Sequence, residues 1–316
     1  FFQSKRLLTS DSKRRQWKNV PYFNTLSVAS KALSHMLVTK IEFIKIILYK
    51  GSFMKKPKWV VKKEIDEKIA QKQTYWIFGL HAVRDALINP NRKKFRLMVT
   101  KNAESKLLDS IEVSGVLPEV FDARQFRPPI DEKSVHQGAV LEVASLQWGS
   151  LEDIIMNSKT NPARLILLDQ VTDPHNVGAI LRSAEVFGAS AVVGTKIHSP
   201  SETGALAKSA SGALERQPYV RIRNLADTIQ YLKKIGFLCV GLDGESENTF
   251  TELKEISHRP TALVLGAEGP GLRFRTKETV DLLAKIPFST DFGSLNVSNA
   301  AAVAMFQLQQ MSNHSN

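Results

Sequence analysis

TALVLGAEGPGL (Thr261–Leu272), KIPF (Lys285–Phe288) and GSLNVSNAAAVAMF (Gly293–Phe306) belong to one stretch whose reading decides the fold. Leu263 to Leu265 form an apolar run long enough for a buried strand and too short for a helix. Gly266, Gly269 and Gly271 follow at once, with Glu268 between them. Glycines just past a strand let the backbone approach a ligand or take φ > 0, which side chains hinder. After a helical interval, Ile286-Pro287-Phe288 reads as another strand end, because Pro287 cannot extend a ladder. Ser294 and Asn296 then stand where a helix should begin, ahead of an alanine-rich apolar run. Helix capping alone accounts for Ser294. Two successive strand–turn units carrying Gly, Glu, Ser and Asn point further, because open α/β sheets bind ligands outside the carboxyl ends of their strands.

Working outward, the chain from Arg164 alternates strands and helices. LILL is a strand, and Val177, Ile180, Leu181, Ala184 and Phe187 make a helical apolar stripe ending at Gly188. SAVVG is a strand. Asn224 caps a helix whose Leu225, Ile229, Leu232 and Ile235 face inward, with Gly236 after it. FLCVGL is the next strand. This alternation predicts a parallel sheet covered on both faces. Ahead of it, residues 75–148 read as a small α/β domain. A helix covers Leu80 to Ile88 and ends before Asn89-Pro90; strands cover Phe95–Val99, Pro118–Phe121 and Gly138–Val143; a second helix covers Glu104–Ile111. Residues 149–162 are the linker, in which Ser150 caps a short helix with Glu152 and Asp153 in its first turn. The larger domain then occupies residues 163–312.

The formal charge of +12 invites a nucleic-acid partner. Its distribution qualifies the invitation. Residues 1–53 carry ten Lys/Arg against Asp11 and Glu42, and residues 54–74 seven Lys against three acids. The remainder, with 26 charges of each sign, is neutral, so any RNA surface there is a local patch. Residues 1–74 read as a basic N-terminal extension. Its first 53 residues resemble an organellar transit peptide in composition, with Met54 as an alternative start. The single Cys239 lies in an apolar run and reads as a structural thiol, so no intrachain disulfide forms. No Cys/His spacing suggests a metal, and no stretch approaches the ~20 apolar residues of a membrane span. A reducing compartment is expected: the cytoplasm, or an organelle matrix if residues 1–53 are a transit peptide.

LVLGAEGPGL, KIPF and SLNVSNAAAVAMF resemble the second and third signature motifs of the SpoU (TrmH) family of RNA ribose 2′-O-methyltransferases, in the SPOUT superfamily. The first motif is matched about ninety residues upstream by DQVTDPHNVGAILRSAEVFGA, Asp169 to Ala189. The resemblance covers residues 75 to 310. It implies a C-terminal trefoil-knotted domain, a front domain folded like ribosomal protein L30 that binds substrate, S-adenosylmethionine as cofactor, and a homodimer. The front domain, opening with YWIFGLHAVRDAL and closing with SVHQGAVLEV, resembles the branch that methylates a guanosine ribose in large-subunit 23S rRNA. A tRNA substrate, or an RNA-binding protein with an inactive site, is the alternative.

Matched to the motifs, Asn176, Arg182, Glu268, Ser294 and Asn296 are the implied catalytic residues, and Gly266, Ile286 and Leu295 the cofactor-binding ones. Taken alone, Asn176 reads equally as a helix cap and Arg182 as a solvated helix charge. Arginine is normally too basic to act neutral. The resemblance implies a base assisted by a substrate phosphate; the conservative account has Arg182 bind the phosphate and stabilise the forming alkoxide. GAEGPG is neither a dinucleotide fingerprint nor a P-loop. Two basic groups are candidate RNA contacts: Arg92, Lys93, Lys94 and Arg96 in the front domain, and Lys208, Arg216, Arg221 and Arg223 in the larger one. A solvated surface serves equally for each.

Overall fold

The computed structural model describes residues 74–253, 258–287, 289 and 295–313. The N-terminal extension, with Met54, lies outside them.

The part ahead of the linker, termed the front domain, is a four-stranded sheet ordered β1-β4-β2-β3, and it belongs to one compact unit with the larger six-stranded part. Its strands are β1 (Thr74–Phe78), β2 (Lys94–Thr100), β3 (Pro118–Phe121) and β4 (Ala139–Ala144). β4 runs antiparallel to both neighbours, while β2 and β3 are parallel. Helix α1 (Leu80–Ile88) covers the span expected of it. Helix α2 (Lys101–Ser114) is longer at both ends than its apolar spacing predicts. The Thr100 hydroxyl accepts from the Ala103 N–H, starting the helix early, and Gly115 at φ 66° closes it late. In the linker, α3 (Leu151–Met156) carries the expected cap: Ser150 and Asp153 satisfy each other's backbone N–H groups.

The larger domain is a six-stranded, wholly parallel sheet in the order β10-β8-β9-β5-β6-β7. Its strands are β5 (Arg164–Leu168), β6 (Ala191–Thr195), β7 (Tyr219–Ile222), β8 (Leu238–Leu242), β9 (Thr261–Leu265) and β10 (Leu282–Ala284). The helices are α4 (Pro174–Val186), α5 (Gly204–Ala210), α6 (Leu225–Lys234), α7 (Phe274–Thr279) and α8 (Val297–Asn313). Strand side chains alternate between two cores. Ile166, Leu168, Val240, Leu263 and Leu265 pack with α4, α5 and α8, while Leu165, Leu167, Cys239, Ala262 and Val264 pack with α3 and α6. Burial pushes the Cys239 thiol up to about 12, which leaves it inert at neutral pH.

The first of these cores does not stop at the sheet. It continues into the front domain through Ile77, Val83, Leu97 and Leu141. Gly204, opening α5, lies so close to β1 that a Cβ there would stand 2.3 Å from the Trp76 carbonyl oxygen. Beside this contact the side chain of Arg92 is wholly buried. Its guanidinium donates to Glu202 at 2.8 Å, to Glu215 at 2.7 and 3.0 Å, and to the Ala144 carbonyl at 2.8 Å. The Tyr75 hydroxyl donates to Glu202, and Asn89 to Glu215. Burial opposes the charge on Arg92, but the Glu215 hydrogen bonds and neighbouring charges outweigh it and hold the group more basic than usual.

This corrects the expected basic cluster. Arg92 is an internal bracket between the two domains rather than a surface contact. Lys94 donates to the Asn89 carbonyl, and Arg96 forks onto Glu119, so two further members are committed within the domain. The spacing of Arg92 in a turn after Asn89-Pro90 gave no sign that acids more than a hundred residues away would enclose it.

Candidate functional site

The carboxyl ends of β8 and β9 open into a cleft of about 180 Å³. Gly266, Ile286 and Leu295, far apart in sequence, all line it. Glu268 lines the same cleft. The Gly266 turn is tight: Ala267 and Gly271 exchange backbone hydrogen bonds of 3.0 and 3.1 Å. A Cβ on Gly266 would lie 2.2 Å from the Gly271 carbonyl carbon and 2.4 Å from the Leu272 nitrogen, both backbone atoms that cannot swing aside. Glycine is therefore required by close approach of the chain to itself. The walls are mainly apolar, from Leu242, Leu265, Ile286, Leu295 and Val297, with Asp243 and Lys285 as the charged members besides Glu268. Burial opposes the charge on Asp243, but its ion pair with Lys277 and the Glu245 N–H keep the carboxyl below its usual range.

At the rim, three turns are tied side chain to side chain. Asn176 Nδ2 donates to Glu268 Oε1 at 3.2 Å, and Asn296 Nδ2 donates to Asn176 Oδ1 at 3.0 Å and to Glu268 Oε1. Glu268 Oε1 also accepts from the Val297 N–H at 3.4 Å, at the start of α8, where a carboxylate is favoured by the exposed amides. Asn296 Oδ1 meanwhile accepts from the Ser298 N–H at 2.9 Å. Asn296 thus caps α8 with its oxygen and reaches the other two turns with its nitrogen.

Asn176 does not cap α4. Asp173 does, accepting from the His175 N–H at 2.9 Å with Pro174 following, and so Asn176 is free to reach Glu268. Arg182 stands apart from the triangle, on the exposed face of α4 opposite Val177, Ile180, Leu181 and Ala184. Its side chain makes no hydrogen bond or ion pair with the described residues. Ser294 and Phe288 lie outside the described residues. Strand β10 precedes Ile286 and ends at Ala284, with Lys285 bridging to Thr249 beyond it.

Several cleft residues escaped the sequence reading, namely Leu242, Asp243 and Gly244 at the end of β8, and Lys285. A strand followed by Asp-Gly was the available signal, since the carboxyl end of every parallel strand is a candidate ligand position. Among the described residues no cluster of His, Cys, Asp and Glu could hold a metal, and no helix is long and apolar enough to cross a membrane. Of the second basic group, Lys208 donates to the Val135 carbonyl, Arg216 binds Glu185 and Asp85, and Arg221 donates to the Lys196 carbonyl. Arg223 alone of the four is uncommitted among the described residues.

Comparison with known proteins adds the following. Residues 163–306 match the SpoU rRNA Methylase family. The 23S rRNA (guanosine-2'-O-)-methyltransferase RlmB of Coxiella burnetii is 37% identical over 241 residues, covering 74% of this chain and 94% of that protein. The RlmB of Pseudomonas aeruginosa is 38% identical over 240 residues, covering 73% and 94%. In fold, the chain is similar to the SpoU methyltransferase AviRb from Streptomyces viridochromogenes, solved in complex with AdoMet. That match has a TM-score of 0.61 at 22% identity over 75% of this chain and 89% of that one.

Proposed function

This chain belongs to the SpoU rRNA methylase family, and on that premise we propose that it transfers a methyl group from S-adenosylmethionine to the ribose 2′-hydroxyl of a guanosine in large-subunit ribosomal RNA. The substrate follows the relatives named as 23S rRNA (guanosine-2'-O-)-methyltransferases, which the chain matches over nearly their whole length. The observation that carries the reading is the convergence of Gly266, Ile286 and Leu295 on one cleft beside the Asn176–Glu268–Asn296 triangle.

That cleft suits the cofactor in kind. Apolar walls from Leu242, Ile286 and Leu295 match a nucleobase, and the glycine turn brings backbone amides and carbonyls within reach of its polar edges. Bound there, S-adenosylmethionine supplies a methyl group already activated by its sulfonium charge. The chain's own work is then positioning and the handling of one proton. Asn176, Glu268 and Asn296 hold the three turns in register. Ser294, next to Leu295, is assigned to hydrogen-bonding the substrate. Arg182, with five donors and no partner among the described residues, binds the phosphate beside the target ribose and stabilises oxyanion character as the hydroxyl proton passes to water.

The reading extends to a homodimer and to a trefoil-knotted path at the Gly266 turn. Val186 on α4 and Val303 and Phe306 on α8 are exposed, and the Phe306 ring packs on Phe187 at 6.0 Å. A second copy would cover this apolar face and bring partners to Arg182. The test is Arg182→Ala. Tritiated-methyl transfer to 23S rRNA should vanish while calorimetry still reports cofactor binding; near-normal turnover refutes the role, and wild-type methylation of tRNA alone refutes the substrate.

A further inference from the structure

A second cleft, of about 350 Å³, opens at the same carboxyl edge of the sheet, beyond β6 and β7. Arg223, Arg273, Arg275 and His198 line it, together with Ile197, and no carboxylate does. In a body with balanced charge, that is a local concentration of cations. The Arg223 and Arg275 side chains are exposed and make no hydrogen bond or ion pair with the described residues. Arg273 is aimed by Asp169, a fully buried carboxylate that takes its Nε at 2.6 Å and its backbone N–H at 3.0 Å. Asp169 follows β5 and leads into the turn that carries Asn176, so this arginine is held by the same loops that build the catalytic rim. Between Arg273 and Arg275, Phe274 is 77% exposed, and Ile197 is 81% exposed. Asn224 already satisfies the first amides of α6, so the attraction of the cleft rests on its arginines.

We propose that this cleft is a subsite for the RNA strand flanking the target nucleotide. Arg223 and Arg275 each take a backbone phosphate, and Phe274 offers its face to an unpaired base. Unpaired guanidiniums around an exposed ring match a single strand, in which phosphates and bare base faces occur together. The inference rests on the reading of the substrate as RNA and adds to it where the strand runs.

The full chain is titrated with a single-stranded 23S rRNA fragment by fluorescence anisotropy, across a range of potassium chloride concentrations. Each lost phosphate contact on a single strand should lower the log–log salt slope by about 0.7, so Arg223→Ala/Arg275→Ala should lose about 1.4. Phe274→Ala should weaken binding roughly 5- to 100-fold with the slope unchanged, the signature of lost stacking. Both variants should keep wild-type cofactor affinity by calorimetry, showing an intact fold, and raise KM for RNA with kcat unchanged. Wild-type affinity and slope in both variants would overturn the subsite. If the wild-type chain bound the RNA but transferred no methyl, the proposed activity would fall while the subsite remained judged by its slope.

Discussion

Replacing Arg92 with methionine tests how firmly the two domains are joined. The substitution keeps much of the volume and removes the charge, leaving Glu202 and Glu215, with side chains 7% and 3% exposed, without their guanidinium partner. Breaking a buried pair by deleting one partner typically costs about 3–5 kcal/mol, because the remaining charge is stranded. One kilocalorie shifts Tm by roughly 2–4 °C in a body of this size, so a loss of about 6–20 °C is expected by scanning calorimetry. The same variant should become sensitive to trypsin at Lys159 in the linker, as the domains part. The triple variant Arg92→Met/Glu202→Gln/Glu215→Gln removes every charge of the cluster. It should recover most of the lost stability, since a buried ion network and a neutral replacement are often close in energy. A single variant within about 2 °C of wild type would refute the reasoning: the carboxylates would then be solvated and the bracket not closed.

Gly266→Ala forces a methyl group into the backbone of Gly271 and Leu272; cofactor affinity should fall at least tenfold, and calorimetric binding within twofold of wild type would contradict the close approach. Glu268→Ala releases Asn176, Asn296 and the first amide of α8. Because the triangle is open to solvent, the loss should be only about 1 kcal/mol by urea unfolding, with methyl transfer falling far more, and Glu268→Gln should restore most of the stability. Sedimentation at micromolar concentration should show a dimer, and Val303→Glu/Phe306→Glu should yield monomers; an active monomeric wild type would remove the second copy from the account.

Four of the six parallel strands, β5, β6, β8 and β9, were legible because they are short apolar runs bounded by turn residues, and α4 and α6 because they carry clean 3.6-residue stripes; β7 and β10 were not, since each is short and only partly buried. In the front domain both helices and β2, β3 and β4 were legible for the same reason, whereas β1, a short run ending before Gly79, was not read as a strand. Asn176 was ambiguous because a polar residue at a helix start can cap or point outward, and only the position of Asp173, one residue before Pro174, decides between them. Arg92 was misread outright. Its charge and its turn setting are local, whereas its burial depends on Glu202 and Glu215, which flank α5 and meet it only through tertiary packing. Asp243 and Lys285 were overlooked because their neighbourhood with Gly266 is made by sheet order, β8 lying beside both β9 and β10, and strand order is not written in any one segment.

The hydrogen bond from Asn296 to Asn176 spans 120 positions of sequence. On a ribosome adding about 5–20 residues per second, Asn176 is made roughly 6–24 seconds before its partner exists. Through that interval α4 has its cap and its apolar stripe but no rim to join. Contacts of such long range also impose loop closure before they return any stabilisation, which places them late in folding. A nascent or half-folded chain therefore lacks the Asn176–Glu268–Asn296 alignment, which exists only once α8 meets α4 and the Gly266 turn. Under the proposed function, no half-made chain could carry out the reaction, and completion of the fold would itself be the check on premature modification.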